Sequence, residues 1–208
     1  PHPSGAATED GPAAFTPAEL RSRRGAKWHR HPEGVIPCWV AEMDFPVAPA
    51  IQATLQRSVT HQEYGYPLRD NDRAECAVAR AFASRMQGRV AWRSDPNDVF
   101  ACTDLVQTSF ACVMAFSEFG DQVVLQTPAY PPFREAITGT GRRILEDRLR
   151  DDGSRYGLDI DRLAGAIDAR TRVMLLCHPH NPTGRVYVRA ELEALGALAI
   201  RHDLGIVS

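Results

Sequence analysis

Arg172-Val-Met-Leu-Leu-Cys177-His-Pro-His-Asn-Pro-Thr-Gly184 decides the fold. An unbroken apolar run of this length, Val173 to Leu176, is what a strand buried on both faces requires. The loop that follows is polar and stiff. Pro179 and Pro182 bracket Asn181 and fix the backbone around it. The Asn181 amide is then held as both donor and acceptor at the end of a buried strand. Beyond the loop, Ala190 to His202 reads as a helix, and Leu204-Gly-Ile-Val207 opens another apolar strand. Strand, loop, helix, strand is the unit of a parallel sheet.

The same rhythm extends toward the amino end. Val99-Phe-Ala-Cys102, Gln122-Val-Val-Leu-Gln126 and Arg142 to Arg148 read as strands. Asp104 to Phe119, Phe133 to Thr138 and Asp159 to Ala169 read as helices between them. The expected fold class is α/β, a mostly parallel sheet with helices on both faces. Such sheets bind ligands outside the carboxyl ends of their strands. The loops after Cys102, Gln126 and Cys177 are therefore the candidate site. Further upstream, Asp70 to Gln87 predicts a long helix stopping at Gly88, and Tyr64-Gly-Tyr-Pro67 a loop. Pro46 to Ser58 predicts an amphipathic helix. Val35 to Val40 is extended in character, and Thr16-Pro-Ala-Glu19 carries the cap and proline of a helix start.

Composition narrows the function classes. The 208 residues are 44% hydrophobic and 24% charged, with a formal net charge of −2. That excludes a disordered polar chain and a collagen-like repeat. It supplies no general field for nucleic acid or a membrane surface. No apolar run approaches the roughly 18 residues of a membrane helix. Residues 1–14 lack the basic start and apolar stretch of a signal peptide. Five cysteines, an odd number without a C-x-x-C pair, suit buried thiols in a reducing cytoplasm rather than a disulfide framework or zinc site. Cys177, His178 and His180 make a poor metal set, because side chains two apart in a proline-rich loop need not converge. Positive charge is almost wholly arginine; Lys27 is the sole lysine.

The loops carry chemistry of their own. Cys102-Thr-Asp-Leu-Val106 joins a strand to a helix start, where free amides and the helix dipole can hold a phosphate. Thr103 or Asp104 can equally cap that helix, and the Asp104 carboxylate repels an anion if it points at one. Tyr130 places a ring at another strand's carboxyl end, where it either stacks on a planar ligand or packs in the core or an interface.

Asn181-Pro-Thr-Gly184 after a buried strand resembles the mark of pyridoxal-phosphate (PLP) enzymes of the aminotransferase class I/II superfamily, fold type I. Pro179-His-Asn-Pro-Thr-Gly-Arg185, with Trp39-Val-Ala-Glu-Met-Asp-Phe45 and Tyr64-Gly-Tyr66, resembles its cystathionine β-lyase-like branch, the MalY/PatB carbon–sulfur lyases. The resemblance runs from about Lys27 to Ser208. It implies that Asn181 hydrogen-bonds the phenolic oxygen of PLP, that Tyr130 stacks on its ring, and that the amides of Leu105 and Val106 cradle its phosphate. It implies that Tyr66 reaches the phosphate of a neighbouring subunit, hence a homodimer with shared active sites. Ala41 would meet the carboxylate of a small amino acid substrate. Asp104 stands where a small residue is common in this group, and Glu42 where aspartate is more usual.

The expected activity is that of a PLP-dependent β-lyase, releasing thiol, pyruvate and ammonia from a sulfur amino acid such as cystathionine. An aminotransferase on the same scaffold is the alternative. A non-catalytic binding or regulatory remnant is the alternative from another class. In the family, an acid facing the pyridine nitrogen follows a strand like Gly205–Val207, and the Schiff-base lysine comes later. Neither is in this sequence, and Lys27 lies outside any matching motif. The expectation is therefore an N-terminal part of such an enzyme, inactive by itself. Its expected parts are a disordered tail (1–15), a contribution to the small domain (16–45) and an incomplete PLP-binding large domain (46–208).

Overall fold

The computed structural model describes residues 15–66 and 76–208. The chain divides into two compact units, Pro1–Leu68 and Arg69–Ser208.

In the first unit, α1 (Pro17–Ser22) begins as its sequence directs. Thr16 accepts the Glu19 amide at 3.3 Å, and the Glu19 carboxylate takes the Thr16 amide at 2.8 Å. This reciprocal cap satisfies two amides that a helix start leaves without partners. The short α2 (Ala26–His29) carries Lys27 inward. Lys27 Nζ pairs with Asp44 at 2.8 Å and donates to the Glu42 carbonyl at 2.5 Å. Trp28 Nε1 donates to the same carboxylate, and Trp39 Nε1 to the Lys27 carbonyl. The stretch 35–45, which has no regular structure, is thus fastened by buried polar contacts. α3 (Pro49–Thr60) starts three residues later than the pattern predicts. The reason is Ala48: it precedes a proline, which disfavours helical backbone there, and it is extended at ψ 136°.

In the second unit, α4 (Ala77–Val90) runs through Gly88, where a stop was expected. A helical glycine costs about 1 kcal/mol relative to alanine, which weakens a helix without ending it. The stop is Ala91, in the left-handed region at φ 56°. The expected start at Asp70 lies outside the described residues. The strand expected at Val99–Cys102 is corrected too. Val99 has extended backbone, but the segment pairs with no strand among the described residues, and Phe100 is exposed. Extended backbone becomes a strand only when a neighbour takes its hydrogen bonds.

The remaining elements follow the predicted order, with one unpredicted hairpin added: α5 (Leu105–Phe116), β1 (Gln122–Thr127), α6 (Pro131–Thr138), β2 (Arg143–Arg148), the hairpin β3 (Arg150–Asp151) and β4 (Tyr156–Gly157), α7 (Ile160–Ala166), β5 (Thr171–Leu175), α8 (Arg189–His202) and β6 (Gly205–Val207). The main sheet is parallel throughout, in the order β2-β1-β5-β6. Strand alternation divides its side chains between two layers. Val123, Leu125, Val173 and Leu175 pack with Val113 of α5 and Ile137 of α6. Val124 and Met174 pack on the opposite face with Leu163 of α7 and Leu195 and Leu198 of α8. Every one of these is at most 4% exposed. The apolar runs are continuous because both faces are covered. Among the described residues no helix is long and apolar enough to cross a membrane.

Candidate functional site

β1 and β5 pair in register, Val123 with Val173 through Leu125 with Leu175. The loops that follow therefore leave the same edge of the sheet from neighbouring strands. One carries Tyr130 and the other Asn181.

Tyr130 sits at the start of α6, 38% exposed, with its ring edge-to-face on Phe133 at 5.6 Å between centroids. Phe133 packs on the core, so one side of the tyrosine is braced and its ring still has solvent-facing area. The Asn181 loop is closed on itself. The Gly184 amide donates to the His180 carbonyl at 2.7 Å and the His180 amide to the Arg185 carbonyl at 2.8 Å. The Asn181 amide nitrogen faces Cys177 Sγ at 3.3 Å. Asn181 itself is exposed, so its side chain is presented outward from a fixed backbone.

α5 supplies the third part. Asp104 is its cap, accepting the Gln107 amide at 2.7 Å. That contact decides between the two capping candidates, and it occupies one oxygen of the carboxylate at the helix end. Leu105 and Val106 form the first turn, whose amides have no acceptor within the helix. Leu105 is exposed and Val106 half-buried. Tyr66 and Ala41 belong to the first unit and are exposed there, Tyr66 to 93%. Lys27, also in the first unit, is held by Asp44.

The residues the sequence reading passed over lie beneath the loops. Gln126, a buried polar residue near the end of β1, accepts the Tyr187 hydroxyl at 3.2 Å. The Tyr187 ring lies nearly parallel to His178, 5.6 Å between centroids, and edge-on to His180. The Arg185 guanidinium stands over its other surroundings, 4.8 Å from the ring centroid, and is paired with Glu191. His180 is 2% exposed, and its Nδ1 meets Thr183 Oγ1 at 2.8 Å. Burial, reinforced by Arg185, holds the His180 pKa below the ordinary histidine value. Burial likewise pushes the Tyr187 hydroxyl far up, so it stays a protonated donor. Next to Gln126 on β2, Asp147 is buried, which raises its pKa against the opposing pull of Arg162 at 2.9 Å. The legible signal was Gln126 itself, a polar residue directly following the apolar run Val123-Val-Leu125.

A hollow of about 840 Å³ in this unit is lined by Pro128, Arg134, Glu146, Arg148, Tyr156 and Arg162 among others. Neither Tyr130 nor Asn181 lines it. It nevertheless adjoins the tyrosine loop through Thr127, Pro128, Ala129 and Pro131.

A doubly covered parallel sheet with a ring and an amide on loops at its strand ends defines an α/β protein of the open-sheet class. Residues 40–208 match the family model described as aminotransferase class I and II, and the chain belongs to that family. It is 34% identical over 196 residues to cystathionine beta-lyase PatB of Bacillus subtilis (strain 168), covering 91% of this chain and 49% of PatB. It is 31% identical over 189 residues to cystathionine beta-lyase of Corynebacterium glutamicum, covering 91% and 48%. Cystalysin from Treponema denticola, a structure containing pyridoxal 5′-phosphate, superposes with a TM-score of 0.81 at 25% identity, over 95% of this chain and 50% of that one. The chain spans about half the length of the curated relatives it matches.

Proposed function

We propose that this chain is the cofactor-binding part of a PLP-dependent carbon–sulfur β-lyase of the cystathionine β-lyase type. The observation that supports this best is the set of donors on the carboxyl edge. A phosphorylated pyridine needs an anion cradle, a flat apolar partner and a neutral donor for its phenolic oxygen. The first-turn amides of α5, the Tyr130 ring and the Asn181 side chain are those three groups. Bound there, PLP supplies an electron sink for the substrate's α-carbon.

The chain's own residues bind and orient. Leu105 and Val106 donate backbone N–H groups to the phosphate. Asn181 donates its amide to the phenolic oxygen, and the Tyr130 ring covers one face of the pyridine. In the first unit, Ala41 faces the substrate carboxylate, and Tyr66 serves the phosphate of a second copy in a homodimer. The apolar stripe Ile51, Leu55 and Val59 on α3, each 55% exposed, supports such an interface. The five cysteines are free thiols, which suits the cytoplasm, but they are not the buried thiols expected from the sequence: Cys38 and Cys102 are exposed and the other three half-buried. Residues 16–45 belong with the small domain and 46–208 with the PLP-binding domain.

The test is the whole protein loaded with PLP and given cystathionine. Free thiol and pyruvate in equal amounts are expected without any added keto acid. Amino transfer to a keto acid with no thiol released overturns the lyase reading in favour of an aminotransferase. Failure to bind PLP overturns both.

A further inference from the structure

Gln126 reaches across from the strand that carries the tyrosine loop to the residues around the asparagine loop. Its side-chain oxygen takes the Tyr187 hydroxyl at 3.2 Å, and the Tyr187 ring in turn meets the His180 ring edge-on. The very next residues, Thr127 to Tyr130, form the tyrosine loop. His180 and Tyr187 flank the asparagine loop, one inside it and one three residues past Gly184. We propose that Gln126, His180 and Tyr187 form a positioning clamp, which locks the Asn181 loop to the end of β1 and so sets the asparagine amide against whatever Tyr130 covers. This rests on the PLP reading for the identity of that ligand, but the clamp itself is a property of the chain.

Three features fit a clamp better than ordinary packing. All three side chains are at most 3% exposed, yet each is polar. A buried hydroxyl or imidazole without a partner would cost about 1–3 kcal/mol, so the contacts are specific in direction as well as favourable. The bonds also join different stretches of chain, 61 residues apart for Tyr187 and Gln126. Neither side is free to shift alone. The His180 Nδ1 meets the Thr183 hydroxyl at 2.8 Å, which fixes the ring inside the asparagine loop. Tyr187 is held between His178 and Arg185, so its hydroxyl is aimed before any ligand arrives.

Cys177 gives a readout independent of the cofactor, since its sulfur touches the Asn181 amide and the Pro179 carbonyl. Tyr187→Phe keeps the ring and removes only the hydroxyl. In the whole protein without PLP, alkylation of Cys177, measured by peptide mass relative to Cys112 on α5, is expected to rise about fivefold in Tyr187→Phe, the worth of one net hydrogen bond. An unchanged ratio overturns the clamp, and so does a parallel rise at both cysteines, which reports general loosening. The second arm is a double-mutant cycle on PLP affinity. Tyr187→Phe is expected to weaken PLP about fivefold alone and less than about twofold in an Asn181→Ala background, because it acts through Asn181. Equal losses in both backgrounds overturn the proposal. If wild-type protein binds no PLP, the functional reading falls and the Cys177 ratio still decides the clamp.

Discussion

A buried histidine is a pH-sensitive fastener, and His180 shows the sign clearly. Its pKa in the fold is lowered by burial and by Arg185, while in the unfolded chain it titrates near about 6.5. The groups facing it are the Arg185 guanidinium, Thr183 and the Gln126 backbone, with the protonated Tyr187 edge-on. A group depressed in this way contributes stability above its unfolded pKa, and that contribution is lost as pH falls through the folded value. Melting temperature should therefore fall more steeply in wild type than in His180→Asn as pH drops from about 7.5 to about 5.5. Parallel curves from a pH series of thermal melts would show that His180 carries no such linkage. The sequence displays this histidine plainly inside the Pro179–Arg185 phrase, yet its role is illegible there. A motif reveals which residue is present, whereas burial and the Gln126 contact arise only when β1 and β5 lie side by side.

At the scale of elements, legibility followed periodicity. Gln122–Thr127, Thr171–Leu175 and Arg189–His202 were read within a residue or two, because their patterns are set by two covered faces. The failures came where a partner or a local strain decides. Val99–Cys102 has the residues of a strand and pairs with no strand among the described residues; α4 ignores Gly88 and ends on Ala91, which no pattern singles out. Burial also separates helices of similar apolar content. Leu195 of α8 is fully buried between Val124 and Met174, whereas Leu55 of α3 is 55% exposed. Leu195→Ala should cost about 2–5 kcal/mol in urea unfolding. Leu55→Ala should stay within about 0.5 kcal/mol for an isolated chain. A loss at Leu55 comparable to that at Leu195 would mean the α3 stripe is covered in solution.

For the whole molecule, the division of labour between the two units is the main fact. The carboxyl-edge donors all belong to the unit Arg69–Ser208, and family membership rests on residues 40–208. The site was legible as a set of loop residues because Asn181, Tyr130 and the α5 start each follow a strand or precede a helix. Its supporting polar layer was not, because Gln126 and Tyr187 are far apart in sequence and belong to no shared motif. The first unit contributes the sole lysine, and its amine is spent on Asp44 and the Glu42 carbonyl. An amine so engaged is a poor nucleophile toward an aldehyde. PLP followed by borohydride should leave Lys27 unmodified in tandem mass spectra of the native protein; a pyridoxyl adduct there would contradict the arrangement.

The same concealment has a practical side. Within these 208 residues a lysine-specific protease has a single bond to cut, the one after Lys27, and the ion pair with Asp44 keeps it under cover. Native digestion at that bond is a private gauge of how often the amino-terminal fastening comes undone. It stays silent to everything that happens in the sheet.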